Sequence, residues 1–426
     1  MIAILLLALA ITALDDSAAI AYPTLDAERS HRMMDPQRDY VARLNQVIAA
    51  VEERFYRDPV KLPNYIAAKQ AALADVQDCN DPLQFRDLVN RYLQSLNASH
   101  TYYTTPHDWE YYHLAAVFEQ LPDIQALFQN QPPAYPAIGV IAQRHEGQWI
   151  VADVLPGGPA AQAGVSIGDR LLTVNDQPYS PVSVWWPLVD QAATLVVQRG
   201  SELVALDITP RKMHPGAELL AALKNSVTVV DRQGVKVAYA HFYSYAGRQY
   251  QEVLEKAIQA GELNEAEALV IDLRYGLGGA DPGYLSLFNR QIPRLDSIDR
   301  DGQASSFATV WRKPVVMLIN ETSRSGKEVL AFGAKRHGLA TLVGTRTAGA
   351  VLGGTPIVIG GEDLLYLAVR DVLVDGQRLE HRGVEPHVEV PLNLESCNGI
   401  DHQREAALDE AIKLIRDVAD DPVPSS

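Results

Sequence analysis

The chain has 426 residues, of which 47% are hydrophobic and 21% are charged, a composition typical of folded globular proteins that excludes a mostly disordered chain. This length is enough for about two to four domains. The 53 acidic residues outnumber the 37 basic ones and give a formal net charge of −16, so the surface repels phosphate and nucleic acid is not an expected partner.

The first residues are typical of a secretory signal peptide. Ile2 to Leu14 form an apolar run broken only by Thr12, and small residues ending in Ala19-Ile20-Ala21 follow. The run is shorter than the ~20 residues that span a bilayer. No Lys or Arg precedes it, which keeps a retained anchor as the alternative. We predict a signal peptide over residues 1–21, a periplasmic or secreted protein, and no stable membrane span.

Residues 22–131 are predicted to form an N-terminal helical domain. Apolar residues recur at helical spacing over 39–56 and over 83–96. The periodicity stops at Asn97-Ala98-Ser99-His100-Thr101. Cys79 in this domain and Cys397 are the only cysteines, and the sequence leaves open whether they form one disulfide or remain two thiols.

A Pro-rich linker separates this domain from residues 137–212, where the sequence pattern changes. Short apolar runs there alternate with Gly, Asp and Asn turns, which predicts a small β-rich module. Pro159 and Gly164 bracket a short helix at its centre, and a strand is predicted from Leu171 to Val174.

Strand and helix signals alternate over residues 230–398, which predicts βαβ units around a largely parallel sheet. The expected strands are 237–242, 268–273, 314–319 and 340–344, and the expected helices are 248–258 and 328–337. Residues 399–426 are assigned to a C-terminal helix.

Two loops in this region carry candidate chemistry, because function gathers beyond the carboxyl ends of parallel strands. The first runs from Asp272 to Gly279 and is rich in glycine, but lacks the Lys-Ser/Thr of a phosphate loop. The second runs from Asn320 to Glu328, between a strand and a helix. A serine at such a helix start is either an N-cap or a nucleophile whose neighbouring N–H groups receive negative charge. His381 and His387 lack the partners of a metal site, so we expect no metal and no cofactor.

The order of these motifs resembles the C-terminal processing, or tail-specific, serine peptidases. D-L-R-x-x-x-G-G at 272–279, Ser-x-x-Glu at 325–328, P-A-x-x-A-G-x-x-x-G-D at 159–169 and G-V-x-P at 383–386 all match, with His387 where the family usually has Asp. The resemblance implies a multidomain α/β protein: a ClpP/crotonase-like βαβ protease core with an inserted PDZ domain and an N-terminal helical domain.

The resemblance implies Ser325 as the nucleophile of a serine-type peptidase, with Ser323 as the competing candidate. The N–H of Gly326 would supply one donor of the oxyanion hole, and Gly278 or Gly279 the other.

The residue at the position of the catalytic base differs from that of the best-known family members. They use a lysine where this chain has Ala350. The tricorn-type branch of the family instead uses a histidine before the PDZ domain and a glutamate just before G-V-x-P. Similarity to that branch implies a Ser-His-Glu arrangement rather than Ser-Lys, with His100 as the base, Glu380 orienting it, and Ser99 as an intermediate partner.

The PDZ-like segment implies a polypeptide partner held through its C-terminus. Ile138, Gly139 and Val140 resemble the loop whose N–H groups bind a terminal carboxylate. The sequence thus predicts a secreted or periplasmic endopeptidase that cleaves unfolded or C-terminal segments through an acyl-enzyme. Two alternatives stay open: an inactive member of the fold that binds peptides or hydrophobic ligands, and a PDZ adaptor for another protease.

Overall fold

The computed structural model describes residues 39–420 except 260, 262, 294, 308 and 309. The predicted signal peptide lies outside the described residues. No helix of the described part is both long and apolar enough to cross a membrane.

Three helices form the core of the N-terminal cap: α1 (Tyr40–Arg54), α2 (Tyr65–Asp75) and α3 (Pro82–Gln94). The Asp39 and Asp81 carboxylates cap α1 and α3 by accepting from N–H groups of the first turn. The sequence predicted α1 and α3 but missed α2, because α2 buries only two residues and shows little apolar periodicity. Two short helices complete the cap, α4 (Trp109–Val117) and α5 (Pro122–Leu127).

The β-rich module is a sheet with strand order β3-β4-β5-β7-β8, and β6 pairs with β5. The bounds are β3 (Val140–His145), β4 (Gln148–Val154), α6 (Pro159–Ala163), β5 (Arg170–Val174), β6 (Gln177–Pro178), β7 (Ala193–Arg199) and β8 (Glu202–Ile208). Strands β2 (Tyr135–Ala137) and β9 (Arg211–Met213) pair where the chain enters and leaves the module, so the module is held at its base.

The second large sheet has the order β10-β11-β12-β15-β16-β19, and every neighbouring pair is parallel except β10 and β11. Its strands are β10 (Thr228–Arg232), β11 (Val235–His241), β12 (Ala268–Asp272), β15 (Val315–Ile319), β16 (Thr341–Gly344) and β19 (Val388–Glu389). The helices around it are α7 (Pro215–Ser226), α8 (Arg248–Gln259), α9 (Gly326–Arg336) and α10 (His402–Asp420), and β13 (Leu295–Ile298) pairs with β14 (Ala304–Phe307).

Both faces of this sheet are covered, as the continuous apolar strands require. Val237 and Tyr239 of β11 share a core cluster with α10, whereas Ala238 and Ala240 share another with α8 and α9. The predicted parallel βαβ core is confirmed.

A third sheet joins the cap to the core. Strand β1 (Tyr102–Thr104) pairs antiparallel with β18 (Asp363–Arg370), which pairs with β17 (Gly353–Ile359). Leu365 and Leu367 of β18 lie in the same core cluster as the helices α1 to α3. The residues just before β1, Ser99 and His100 among them, are therefore anchored to the core domain.

Both cysteines are free thiols. The buried Cys397 thiol lies 3.4 Å from the carbonyl oxygen of Ile167 and 3.2 Å from that of Leu394. Of the two alternatives left open by the sequence, the structure contains the unpaired one.

Candidate active site

Ser325 lies at the start of α9 on a tight turn. Its backbone has φ 59° and ψ −128°, a conformation that costs a non-glycine residue about 1–3 kcal/mol. The Ser325 N–H lies 2.9 Å from Ala350 O and 3.2 Å from Glu328 Oε2. A serine with a strained backbone between a strand and a helix is the backbone arrangement of a nucleophile elbow.

Glu328 holds this turn against the next loop. Its buried carboxylate accepts hydrogen bonds from Thr347 Oγ1 at 2.6 Å and from the N–H groups of Gly349 at 2.7 Å and Ala350 at 2.8 Å. Burial raises the pKa of this carboxyl, against the four hydrogen bonds that lower it. Ala350 thus contributes a backbone N–H to the Glu328 carboxylate.

The structure places the competing serine, Ser323, in the interior. Its side chain is fully buried, its hydroxyl lies 3.0 Å from the carbonyl oxygen of Leu273, and the Asn320 N–H donates to it at 3.1 Å. Ser323 therefore fixes the loop that carries Ser325.

The glycine loop packs directly on Ser325. A Cβ on Gly278 would lie 2.6 Å from Ser325 Cβ and 3.3 Å from its Oγ. A Cβ on Gly326 would lie 2.4 Å from the Ala280 nitrogen, and Gly279 has φ +81°. Among the described residues, none accepts a hydrogen bond from the N–H of Gly278, Gly279 or Gly326. These groups are available to receive an oxyanion next to the Ser325 hydroxyl.

Arg274 and Asp272 of the D-L-R motif anchor the glycine loop, the segment from Asp272 to Gly279. Both are fully buried, and Arg274 Nη2 lies 2.6 Å from Asp272 Oδ2 and 2.5 Å from Asp401 Oδ2. Arg274 holds the pKa of Asp272 well below its ordinary range, despite burial. This motif therefore anchors the loop structurally.

Ser99, His100 and Glu380 come together across the boundary between cap and core. The Ser99 Oγ lies 3.0 Å from His100 Nδ1 and 2.8 Å from Glu380 Oε2, and the Ser99 N–H donates to Glu380 Oε1 at 2.8 Å. A carboxylate accepts only, so the Ser99 hydroxyl proton points to Glu380 and the Ser99 oxygen accepts from Nδ1–H. This hydrogen bonding leaves the lone pair of His100 on Nε2, where a general base needs it.

Electrostatics keep His100 neutral. Partial burial and the nearby positive charge of Arg324 lower its pKa from the ordinary 6.5 to about 4. The ring packs against Tyr366, with 5.3 Å between ring centroids. An imidazole in this environment is unprotonated at neutral pH and ready to accept a proton.

The backbone connects Glu380 to the serine turn. Glu380 Oε2 also accepts from the Val351 N–H at 2.9 Å, and the adjacent Ala350 carbonyl accepts from Ser325. Within the described part of the chain, no hydrogen bond joins the His100 ring to the Ser325 hydroxyl. Catalytic hydrogen bonds are often long before a substrate binds.

Sequence reasoning missed the supporting roles of three residues: Arg324, Glu328 and Lys327. Lys327 is fully buried, and its Nζ lies 2.8 Å from Tyr275 O and 3.2 Å from Tyr243 O. Burial lowers the pKa of Lys327 to about 7. Among the described residues, its Nζ bonds backbone carbonyl oxygens and not the Ser325 hydroxyl, in agreement with its i+2 spacing.

Comparison with known proteins matches both the core and the β-rich module to families. Residues 236–390 match peptidase family S41, and residues 150–199 match the PDZ domain family. The carboxyl-terminal-processing protease of Synechocystis sp. is 25% identical over 209 residues, which cover 46% of this chain and 48% of that protein. Tricorn protease homolog 1 of Streptomyces coelicolor is 26% identical over 311 residues, or 65% of this chain and 28% of that protein.

The fold also matches a solved structure. The crystal structure of the tricorn protease superimposes on 89% of this chain and 37% of its own, with a TM-score of 0.52 and 16% identity. This chain spans less than half the length of the two relatives named above. The predicted family resemblance and the multidomain α/β fold are confirmed: the chain carries a peptidase family S41 domain with a PDZ domain, and it is related to the carboxyl-terminal-processing and tricorn proteases.

Proposed function

We propose that the chain is a serine endopeptidase that cleaves unfolded or C-terminal polypeptide segments, acting in the periplasm or outside the cell. The observation that carries this proposal is the hydrogen-bonded chain from Glu380 through the Ser99 hydroxyl to His100 Nδ1. A purely structural histidine does not need a fixed tautomer with a free Nε2, a depressed pKa and a strained serine on a neighbouring turn.

In the proposed reaction, Ser325 Oγ attacks the scissile carbonyl carbon while His100 Nε2 accepts the hydroxyl proton. The carbonyl electron pair moves to the oxygen, and the N–H of Gly326 and that of Gly278 stabilise the oxyanion. The C–N bond then breaks as His100 returns the proton to the leaving amine. Water attacks the acyl-enzyme by the same steps and releases Ser325. Glu380 acts through Ser99 by stabilising the imidazolium.

The test uses a fluorophosphonate probe and a fluorogenic peptide on the purified mature protein. We expect wild-type protein to be labelled and to hydrolyse the peptide, and Ser325→Ala to lose both. Ser201→Ala, in an exposed turn of the β-rich module, is the matched control and should keep both. Labelling that survives in Ser325→Ala would contradict the assignment of the nucleophile.

The inactive alternative has one observation in its favour, the missing hydrogen bond between His100 and Ser325. A carrier or adaptor of this fold would bind peptide without turnover, and its Ser325 would not react with the probe. Peptide binding by a wild-type protein that is neither labelled nor hydrolytic would therefore replace the peptidase proposal.

A further inference from the structure

A pocket lies where the cap, the PDZ domain and the core meet, against the loop of Ile138, Gly139 and Val140. Aromatic side chains form much of its wall: Trp109 of α4, Tyr135 of β2 and Tyr179 after β6. Glu218 of α7 is the acidic residue in the lining.

Glu218 has an unsatisfied carboxyl in this pocket. Among the described residues, no hydrogen bond reaches its buried Oε2. Its Oε1 lies 3.8 Å from the place a Cβ on Gly139 would take, so the carboxyl stands beside the loop. Burial raises the pKa of Glu218 to about 8. Burying a carboxyl without a donor opposes folding, which points to a ligand that supplies the donor.

Donors for a carboxylate stand next to this acceptor. Within the described part of the chain, the N–H groups of Ile138 and Gly139 make no hydrogen bond. Gly139 has φ +77°, which turns the backbone sharply at this point. The site therefore offers N–H donors on the loop and one acidic acceptor in the adjoining aromatic pocket.

We propose that the pocket binds polypeptide C-termini that end in lysine, with Glu218 as the residue that sets this preference. The terminal carboxylate binds the N–H groups of Ile138 and Gly139. The aliphatic stem lies along the rings of Trp109, Tyr135 and Tyr179. The positive charge of the ammonium lowers the pKa of Glu218, which loses its proton and pairs with the ammonium as a carboxylate. One ligand then satisfies both unpaired sets of groups. This inference rests on the proposed function because it takes the substrate to be a polypeptide.

Binding is measured on the Ser325→Ala protein, which separates this proposal from turnover. Fluorescent peptides differ only at their C-terminus, which is lysine, norleucine, glutamate or lysine amide. We expect the lysine peptide to bind about tenfold more tightly than the norleucine peptide. Amidation should cost a similar factor, and the glutamate peptide should bind most weakly.

The assignment to Glu218 is tested by Glu218→Gln in the same background. We expect the lysine and norleucine peptides to bind this variant within about threefold of each other. Glu202→Gln, at an exposed position of β8, is the matched control and should keep the preference. Circular dichroism and Tm confirm that each variant is folded.

Equal affinities of the lysine and norleucine peptides for the Ser325→Ala protein would overturn the proposal, as would a lysine preference that persists in Glu218→Gln. A lysine preference together with an unlabelled, inactive wild-type protein would retain the pocket and reject the peptidase. A wild-type protein that is labelled and hydrolyses the peptide, but shows no lysine preference, would retain the peptidase proposal and reject the pocket.

Discussion

The Ser99 hydroxyl lies 2.8 Å from Glu380 Oε2, although 281 positions separate the two residues along the chain. The pairing of β1 with β18 makes this contact possible, because it fixes the end of the cap against the core. The contact joins two domains through one hydroxyl and determines which ring nitrogen of His100 carries the proton.

Ser99→Ala should lower kcat on the order of 100-fold with little change in KM, because it removes the acceptor of Nδ1–H and the hydroxyl that connects this ring nitrogen to Glu380 Oε2. Ser99→Thr keeps the hydroxyl and should retain much of the activity. Ser95→Ala is the matched control, because the Ser95 hydroxyl lies 2.7 Å from Tyr92 O at the end of its own helix. Steady-state kinetics with a fluorogenic peptide measure the effect, and a change in kcat below about threefold in Ser99→Ala would refute the relay.

The pH profile should reflect the low pKa of His100. The base works in its neutral form, so kcat/KM should fall on the acid side with an apparent pKa near 4 instead of the ordinary 6.5. Arg324→Gln removes the positive charge that helps to lower this pKa, so the acid limb should move to higher pH. It should not reach 6.5, because burial is the larger cause and remains.

Arg346→Gln, an exposed arginine on the loop after β16, is the control and should leave the limb in place. Profiles of kcat/KM between pH 3.5 and about 8 decide the matter. A wild-type limb near 6.5 would show that His100 is solvated during catalysis or is not the base.

The sequence predicted the parallel core because its strands are short apolar runs bounded by turn residues. Such patterns are visible in the sequence without any information on tertiary contacts. The resemblance also pointed to Ser99, His100 and Glu380 as one site, and the structure brings these three residues together. The sequence does not predict the distance between His100 and Ser325, since no local pattern encodes a distance between two domains.

The supporting residues could not be predicted from local patterns. The burial of Lys327 depends on carbonyl groups from two loops that are distant in sequence, which no local pattern shows. Glu218 sits on the amphipathic helix α7, where one acidic residue reads as solvent-facing. The pocket it enters exists only because cap, module and core meet there.

Gly278 should tolerate no side chain. Gly278→Ala would place a Cβ 2.6 Å from Ser325 Cβ, and the backbone must move to relieve the clash. This movement displaces the Gly278 N–H, and we expect a 100-fold or larger loss of kcat, since losing one oxyanion-hole donor costs ~10²–10³. Gly283→Ala, whose nearest neighbour at 3.1 Å is a side-chain oxygen of Asp281, should behave as wild type. Fluorophosphonate labelling rates and kcat report the loss, and normal labelling of Gly278→Ala would remove Gly278 from the proposed oxyanion hole.

Lys327 should make stability depend on pH. Its pKa is 10.5 in an exposed lysine and about 7 in the fold, so from pH 7 to about 10 the unfolded chain binds more protons than the folded chain. Stability should therefore rise with pH in this window, by up to about 1.4 kcal/mol per pH unit, while below pH 7 the cost of burying the charge is fully present.

Lys327→Met removes the titrating amine and with it this pH dependence. The Tm of the wild type should therefore rise relative to that of the variant as the pH is raised from 7 to about 9. The variant also loses the donor that binds Tyr243 O and Tyr275 O next to the glycine loop, so its kcat should fall as well. Lys335→Met, at the exposed end of the same helix, is the matched control. If the wild-type Tm does not rise relative to the Tm of Lys327→Met over this pH range, the Lys327 amine remains charged in the fold. An ammonium would then anchor the glycine loop.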